Sequence, residues 1–246
     1  MIGSTITSLA LGLLAFLPTT HAADSSSSLH YRLRARVTGP KNASTPPVDG
    51  WALEVQRLGV PTRLPADYMW GVLINATFAP SRGGDIFYHQ QSSTTTANTT
   101  TNGTAAAHIR TDAPNNAGEV TPFGITALAG SRGYPMDGVE MAAVRYIGVP
   151  KEEVLDVADG AGGDGVPHLH KPAANGTFAA CSGLYQEWAT LYWIDVAAYG
   201  ADPIYTTGAD YQECTPIELV PECADGGPSH DGLEERPCVK DVAAVL

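Results

Sequence analysis

Positive charge is scarce in this 246-residue chain: 14 Lys and Arg stand against 26 Asp and Glu, a formal net charge of −12. A nucleic-acid backbone asks for a basic footprint, so nucleic acid is not an expected partner. Charge of either sign is thin, at 16%, while apolar residues reach 43%. A disordered, solvating chain shows the opposite balance, so a folded domain with its own core is expected. Long hydrophobic runs are missing as well. The longest, Ile6 to Leu17, falls well short of the roughly 20 residues that a membrane-spanning helix needs. No cysteine precedes Cys181, so the first two-thirds of the chain must be held by packing alone.

What is present begins with that short run. Pro18 ends it, and Thr20-His21-Ala22 offers small residues for cleavage. This is the layout of a secretory signal peptide over residues 1–22, although its amino-terminal flank carries no Lys or Arg. With no second run of spanning length and no C-terminal anchor signal, a secreted, extracellular protein without membrane contact is expected. Sequons at Asn42, Asn75, Asn98, Asn102 and Asn175 agree with that route and predict N-glycosylation. Cys181, Cys214, Cys223 and Cys238 form an even set without zinc-ribbon or Cys-x-x-Cys spacing. Two disulfides follow, with three pairings open.

Period-two alternation is clearest from Leu29 to Thr38, where Leu29, Tyr31, Leu33, Ala35 and Val37 alternate with His30, Arg32, Arg34 and Arg36. The arginine face could meet an anionic partner, but a solvated face paired with the surplus carboxylates is the preferred reading. Further strands are expected at 51–58, 70–78, 85–90, 120–128, 139–147, 177–181, 188–199 and 215–222. Within 70–78, Val72, Ile74, Ala76 and Phe78 are expected to face the core, leaving Asn75 outward for a glycan. Helix signals are few, and only 151–158 could form a short one. Gly and Pro turns separate these elements, notably Gly160 to Gly165. The expected fold is all-β: an antiparallel β-sandwich of short strands in a single domain over 23–224. Residues 91–107, rich in Ser and Thr, read as a disordered glycosylated loop, and 225–246 as an acidic, turn-rich tail. The acidity is lopsided. Residues 24–150 carry ten basic and nine acidic side chains, residues 151–246 four and seventeen.

Catalytic motifs are missing: no Gly-x-Ser-x-Gly elbow, His-Glu-x-x-His, phosphate loop or dinucleotide fingerprint occurs. Neither a catalytic residue nor a cofactor is therefore expected, and the chain leans away from being an enzyme. His168, His170 and Asp164 could in principle hold zinc or copper. Without a further ligand in view, surface histidines beside a glycine-rich turn are the preferred reading. Asp159 to Gly165 is superficially like a calcium repeat but occurs once, so it reads as a turn. Trp188 and Tyr192 share strand parity and could form an aromatic platform for sugar rings, but core packing is the preferred reading. The abundant carboxylates leave a hydrolase with a carboxylate pair as a further alternative.

The segment Cys214-Thr215-Pro216-Ile217-Glu218-Leu219-Val220-Pro221-Glu222-Cys223, with Phe178 to Cys181 before it, resembles a family of small secreted fungal proteins of unknown function. Gly50-Trp51-Ala52-Leu53 matches that family's G-W-x-L segment, and Ile86-Phe87-Tyr88 fits its next aromatic strand. The resemblance spans most of residues 29–224; the Ser/Thr run and the tail bearing Cys238 depart from it. It implies a secreted fungal β-rich domain and supplies neither catalytic residue nor substrate. The leading expectation is a non-catalytic protein acting at a cell wall or host surface, with polysaccharide or an extracellular surface as its partner. The expected pairing is Cys181 with Cys223 and Cys214 with Cys238.

Overall fold

In the computed structural model the described residues are 25–39, 41, 45–56, 68–75, 84–91, 107–114, 119–128, 139–145, 155–160, 164–172, 176–182, 188–195 and 214–246. They form strands β1 (Ser25–Ser28), β2 (His30–Val37), β3 (Ala52–Gln56), β4 (Tyr68–Ile74) and β5 (Phe87–Gln91). Next come β6 (Ala107–Pro114), β7 (Val120–Leu128), β8 (Val139–Arg145), β9 (Asp156–Ala158) and β10 (His168–His170). The chain continues through β11 (Gly176–Ser182), β12 (Trp188–Asp195), β13 (Cys214–Cys223), β14 (Leu233–Glu234) and β15 (Arg236–Val239).

Strand β2 shows why this sequence makes sheet. Its alternation places Tyr31, Leu33 and Ala35 in the core, fully buried, and turns the arginines to the opposite face. Strand β13 runs antiparallel beside it, from Ile217 opposite Val37 to Cys223 opposite Tyr31. From β2 the pairing continues through β3, β4, β12 and β11 and returns to β13, so six strands close into a barrel. The expected sandwich is thereby corrected. Alternation specifies which face of a strand is buried but is silent about neighbours, and the pairing of β2 with β13 joins edges that a sandwich would leave open. A meander of β5, β6, β7 and β8 leaves the amino-terminal half of β2 and rejoins the ring at β4 and β12.

One contiguous core fills this arrangement. Leu33, Leu53, Leu73, Phe87, Ile109, Phe123, Phe178, Leu191, Trp193, Ile217 and Leu219 all belong to it. The hairpin β9–β10 pairs with no barrel strand, yet it lends Leu155, Val157 and Leu169 to the same core. Lys171, just beyond it, is buried with its ammonium 5.8 Å from the centre of the Trp193 ring, a cation–π contact. Gly160, at φ +72, turns the chain before β10. A Cβ there would lie 2.5 Å from the Gly165 carbonyl carbon, so the turn needs glycine both for its dihedral and for its closeness.

Three further expectations are corrected. Residues 156–158 of the expected helix form β9 instead, because pairing with β10 satisfies their backbone; residues 151–154 lie outside the described residues. In β4 the parity holds but the facing is reversed. Leu73 enters the core, while Val72 and Ile74 pack with Ala52 on the other side of the sheet. Both sides of this strand are apolar, so alternation alone could not orient it. Asn75 follows the strand, half-buried.

The disulfides join Cys181 to Cys214 and Cys223 to Cys238, not the expected partners. Cys181 and Cys214 are register partners on β11 and β13, with Cα atoms 4.0 Å apart. Cys223 lies at the far end of β13, about 30 Å away along an extended strand, beyond any disulfide's reach of Cys181. It meets Cys238 of β15 at a Cα separation of 5.2 Å. The C-terminal segment is part of the sheet: β14 pairs with β5, and β15 with β1 and β13.

Candidate functional site

The outer face of β2 and β13 carries an ion ladder. Arg34 Nε donates to Glu222 Oε2 at 2.8 Å, and Arg36 is paired with Glu218. Arg36 also reaches Asp164 at 2.7 Å, tying the turn before β10 to the barrel wall. The arginines therefore meet the surplus carboxylates, as the charge arithmetic suggests. The Asp164 carboxyl is held below the ordinary carboxylate range, first by the Val166 amide and then by Arg36. Burial works against the charge on Arg36, but its two carboxylate partners outweigh it and raise its pKa.

A second polar chain runs through the core. Because alternate residues share a face, His89 lies on the same side of β5 as Phe87 and turns inward to Tyr31. The Tyr31 hydroxyl and His89 Nδ1 are 3.0 Å apart, and both residues are fully buried. His89 Nε2 lies 3.2 Å from Asp156 Oδ1, close enough for an ion pair yet off-line for a hydrogen bond. Arg236 Nε is 3.6 Å from the same oxygen, and Arg236 Nη2 donates to Glu234. Burial lowers the His89 pKa more than Asp156 raises it. Burial, then the Asp156 charge, pushes Tyr31 well above the usual phenol range. Desolvation opposes ionisation of Asp156, but His89, the Val157 amide and Arg236 together depress its pKa. Spatially this is a Tyr–His–Asp chain. The hydroxyl is sealed from solvent, so the arrangement knits β2, β5, β9 and β15 together without exposing a nucleophile.

On the opposite face of the same strands, Tyr88 donates to Asp112 Oδ1 at 2.6 Å. His230 Nε2 lies 3.0 Å from that oxygen, and its ring is 5.0 Å from Tyr88. Here the C-terminal segment crosses the sheet. His30 Nε2 is 2.9 Å from the Pro228 carbonyl, and a Cβ on Gly227 would come within 2.4 Å of the His30 ring. Burial first, and then Asp112, raises the Tyr88 pKa.

The expected ligand residues separate. Along β12, Ala189, Leu191 and Trp193 are buried, while Trp188, Thr190 and Tyr192 lie half-buried on the outer face. Trp188 packs partly against Ala52, Val72 and Ile74. The core role weighed for the aromatic cluster thus belongs to Trp193. His168 and His170 share one side of β10, whereas Asp164 is committed to Arg36 and the Val166 amide. Among the described residues no three His, Cys, Asp or Glu side chains converge to hold a metal ion. Sequons Asn42, Asn98, Asn102 and Asn175, together with most of the Ser/Thr run, lie outside the described residues.

Comparison with family models, with curated proteins and with solved structures finds no match to this chain. The site must be read from its own geometry. Sequence reasoning missed the two clusters around His89 and Asp112, whose members come from five strands and the segment before β14. The one local signal was the period-two position of His89 beside Phe87.

Proposed function

We propose that this chain is a secreted, N-glycosylated, non-catalytic fungal extracellular protein, related to the small secreted proteins it resembles, that engages a polysaccharide or another extracellular surface. The supporting observation is the pair of disulfides, Cys181–Cys214 and Cys223–Cys238, with no free cysteine among the described residues. Such bridges suit an oxidising compartment. No helix among the described residues is long and apolar enough to cross a membrane. The described carboxylates Glu218, Glu222, Asp164, Asp156 and Asp112 are each engaged by an arginine or histidine, which favours a structural role for them over a hydrolase pair. Purified protein incubated with a panel of cell-wall polysaccharides should leave them unchanged. Release of reducing ends would overturn the reading.

A glycan platform is the sharper form of this proposal, favoured by the outward placement of Trp188 and Tyr192 on β12. Four residues of strand separate them by about 13 Å, a span suited to stacking non-adjacent sugars of one chain. W188A/Y192A should weaken binding to insoluble polysaccharide by at least about tenfold while the protein stays folded, because aromatic anchors carry most of an interface's energy. W193A, by contrast, should destabilise the fold by about 3–5 kcal/mol. Undiminished pull-down by W188A/Y192A would eliminate the platform.

A further inference from the structure

Hairpin β9–β10 carries two imidazoles whose tautomers are set by the backbone. His168 Nδ1 lies 3.3 Å from the Val166 carbonyl oxygen, and His170 Nδ1 lies 2.9 Å from that of Asp156. A carbonyl oxygen can only accept, so each Nδ1 carries the hydrogen, which assigns the lone pair of the uncharged tautomer to Nε2. That is the state of a metal-bound histidine whose other nitrogen donates to a backbone carbonyl. Here the orienting partners are already in place.

The two rings stand on one side of β10 because alternate strand residues share a face, with Leu169 between them buried in the core. Both are half-buried, their centres 6.5 Å apart and their planes at 71°. For Nε2–metal bonds of about 2.0–2.1 Å, neighbouring ligands bring ring centres to roughly 4.5–5 Å. The observed centres stand wider than that by about 1.5–2 Å, on a hairpin whose backbone is held by its β9 pairing, by Leu169 and Val157 in the core, and by Asp164 on Arg36.

We propose that His168 and His170 form a two-histidine site for a divalent transition metal, binding through both Nε2 atoms and leaving the remaining coordination positions to water. Imidazole donors suit copper and zinc, and the general order of divalent affinities puts Cu(II) ahead of Zn(II). Asp164 is not a ligand, being held by Arg36. With no third side-chain donor in reach among the described residues, the site is an open, exchangeable one.

The test is titration of the full-length protein with Cu(II) alone, followed by calorimetry and electron paramagnetic resonance. One equivalent should bind with hyperfine coupling from two imidazole nitrogens. H168Q and H170Q should each lose one nitrogen and weaken binding by at least about tenfold, since even loss of an orienting partner costs 10–100-fold. D164N should change the affinity less than about twofold. Unaltered stoichiometry and affinity in H168Q/H170Q would overturn the proposal. Should a variant fail to fold, imidazole nitrogen shifts of the wild-type protein on adding Zn(II) decide the matter. Movement of both Nε2 resonances supports the site, and stillness of both refutes it.

Discussion

Replacing Cys223 and Cys238 together by alanine tests how the C-terminal segment is held. The bridge closes 15 residues and its companion 33. In the chain-entropy model those loops correspond to about 3.0 and about 3.7 kcal/mol, so C181A/C214A should be the more destabilising pair globally. At about 2–4 °C per kcal/mol for a domain of this size, C223A/C238A should melt roughly 6–12 °C below wild type. Alanine is the right replacement, because Cys238 is fully buried and a serine hydroxyl there would want a partner. The structure adds a local signature that the entropy model lacks. Strands β11 and β13 remain hydrogen-bonded in register from Phe178 opposite Ile217 to Ala180 opposite Thr215 without their bridge. Strand β15, by contrast, meets β13 at a single register pair, Glu222 with Val239, and carries β1 on its other side. Urea unfolding with hydrogen exchange should therefore show C223A/C238A losing protection at 25–28 and 233–239 before global unfolding, with C181A/C214A keeping it. Equal protection of β1 in both variants would refute this reasoning, as would an unchanged urea midpoint for C223A/C238A.

Two further outcomes follow from the polar clusters. Burial lowers the pKa of His89 and of His108, so between the unfolded value near 6.5 and the folded values the unfolded chain binds more protons. The stability these neutral rings support is complete above about pH 6.5 and drains as pH falls through the folded pKa values, at no more than about 2.7 kcal/mol per pH unit for both. Urea midpoints at pH 7.5, 6.5 and 5.5 should decline below 6.5, and a flat profile would contradict it. Arg36→Ala should cost roughly 1–3 kcal/mol, because it leaves Glu218 and Asp164 without their half-buried partner. A change below about 0.3 kcal/mol would show the ladder to be decorative.

The legibility of this fold followed hydrophobic contrast. Strand β7 was found at its observed limits, Val120–Leu128, and β2 almost so, the latter because large apolar residues alternate there with polar ones. Strand β6 escaped notice although Ile109, Thr111 and Ala113 do turn inward. Threonine and alanine give little contrast against His108, Arg110 and Asp112, and the stretch follows a Ser/Thr-rich run. Strands β1, β9, β10, β14 and β15 have four residues or fewer. Their pairing partners define them, and no composition of so short a segment can announce that. Barrel closure was illegible for the same reason, and so was the Tyr31–His89 contact, which spans 58 positions. The shared parity of Trp188 and Tyr192 was readable, since it needed only the period of a strand.

The junction of β2 with β13 also sets a clock. Arg36 and Glu218 are 182 residues apart, and ribosomes add about 5–20 residues per second. Strand β2 therefore waits about 10–40 s after its own synthesis for the partner that closes the ring. During that wait its hydrogen-bonding edge is open, and non-local pairing of this kind is slow even once both strands exist. Arginines at positions 32, 34 and 36 line that strand, and like charges on an open edge disfavour edge-to-edge joining. The glutamates of β13 remove that repulsion when the barrel closes.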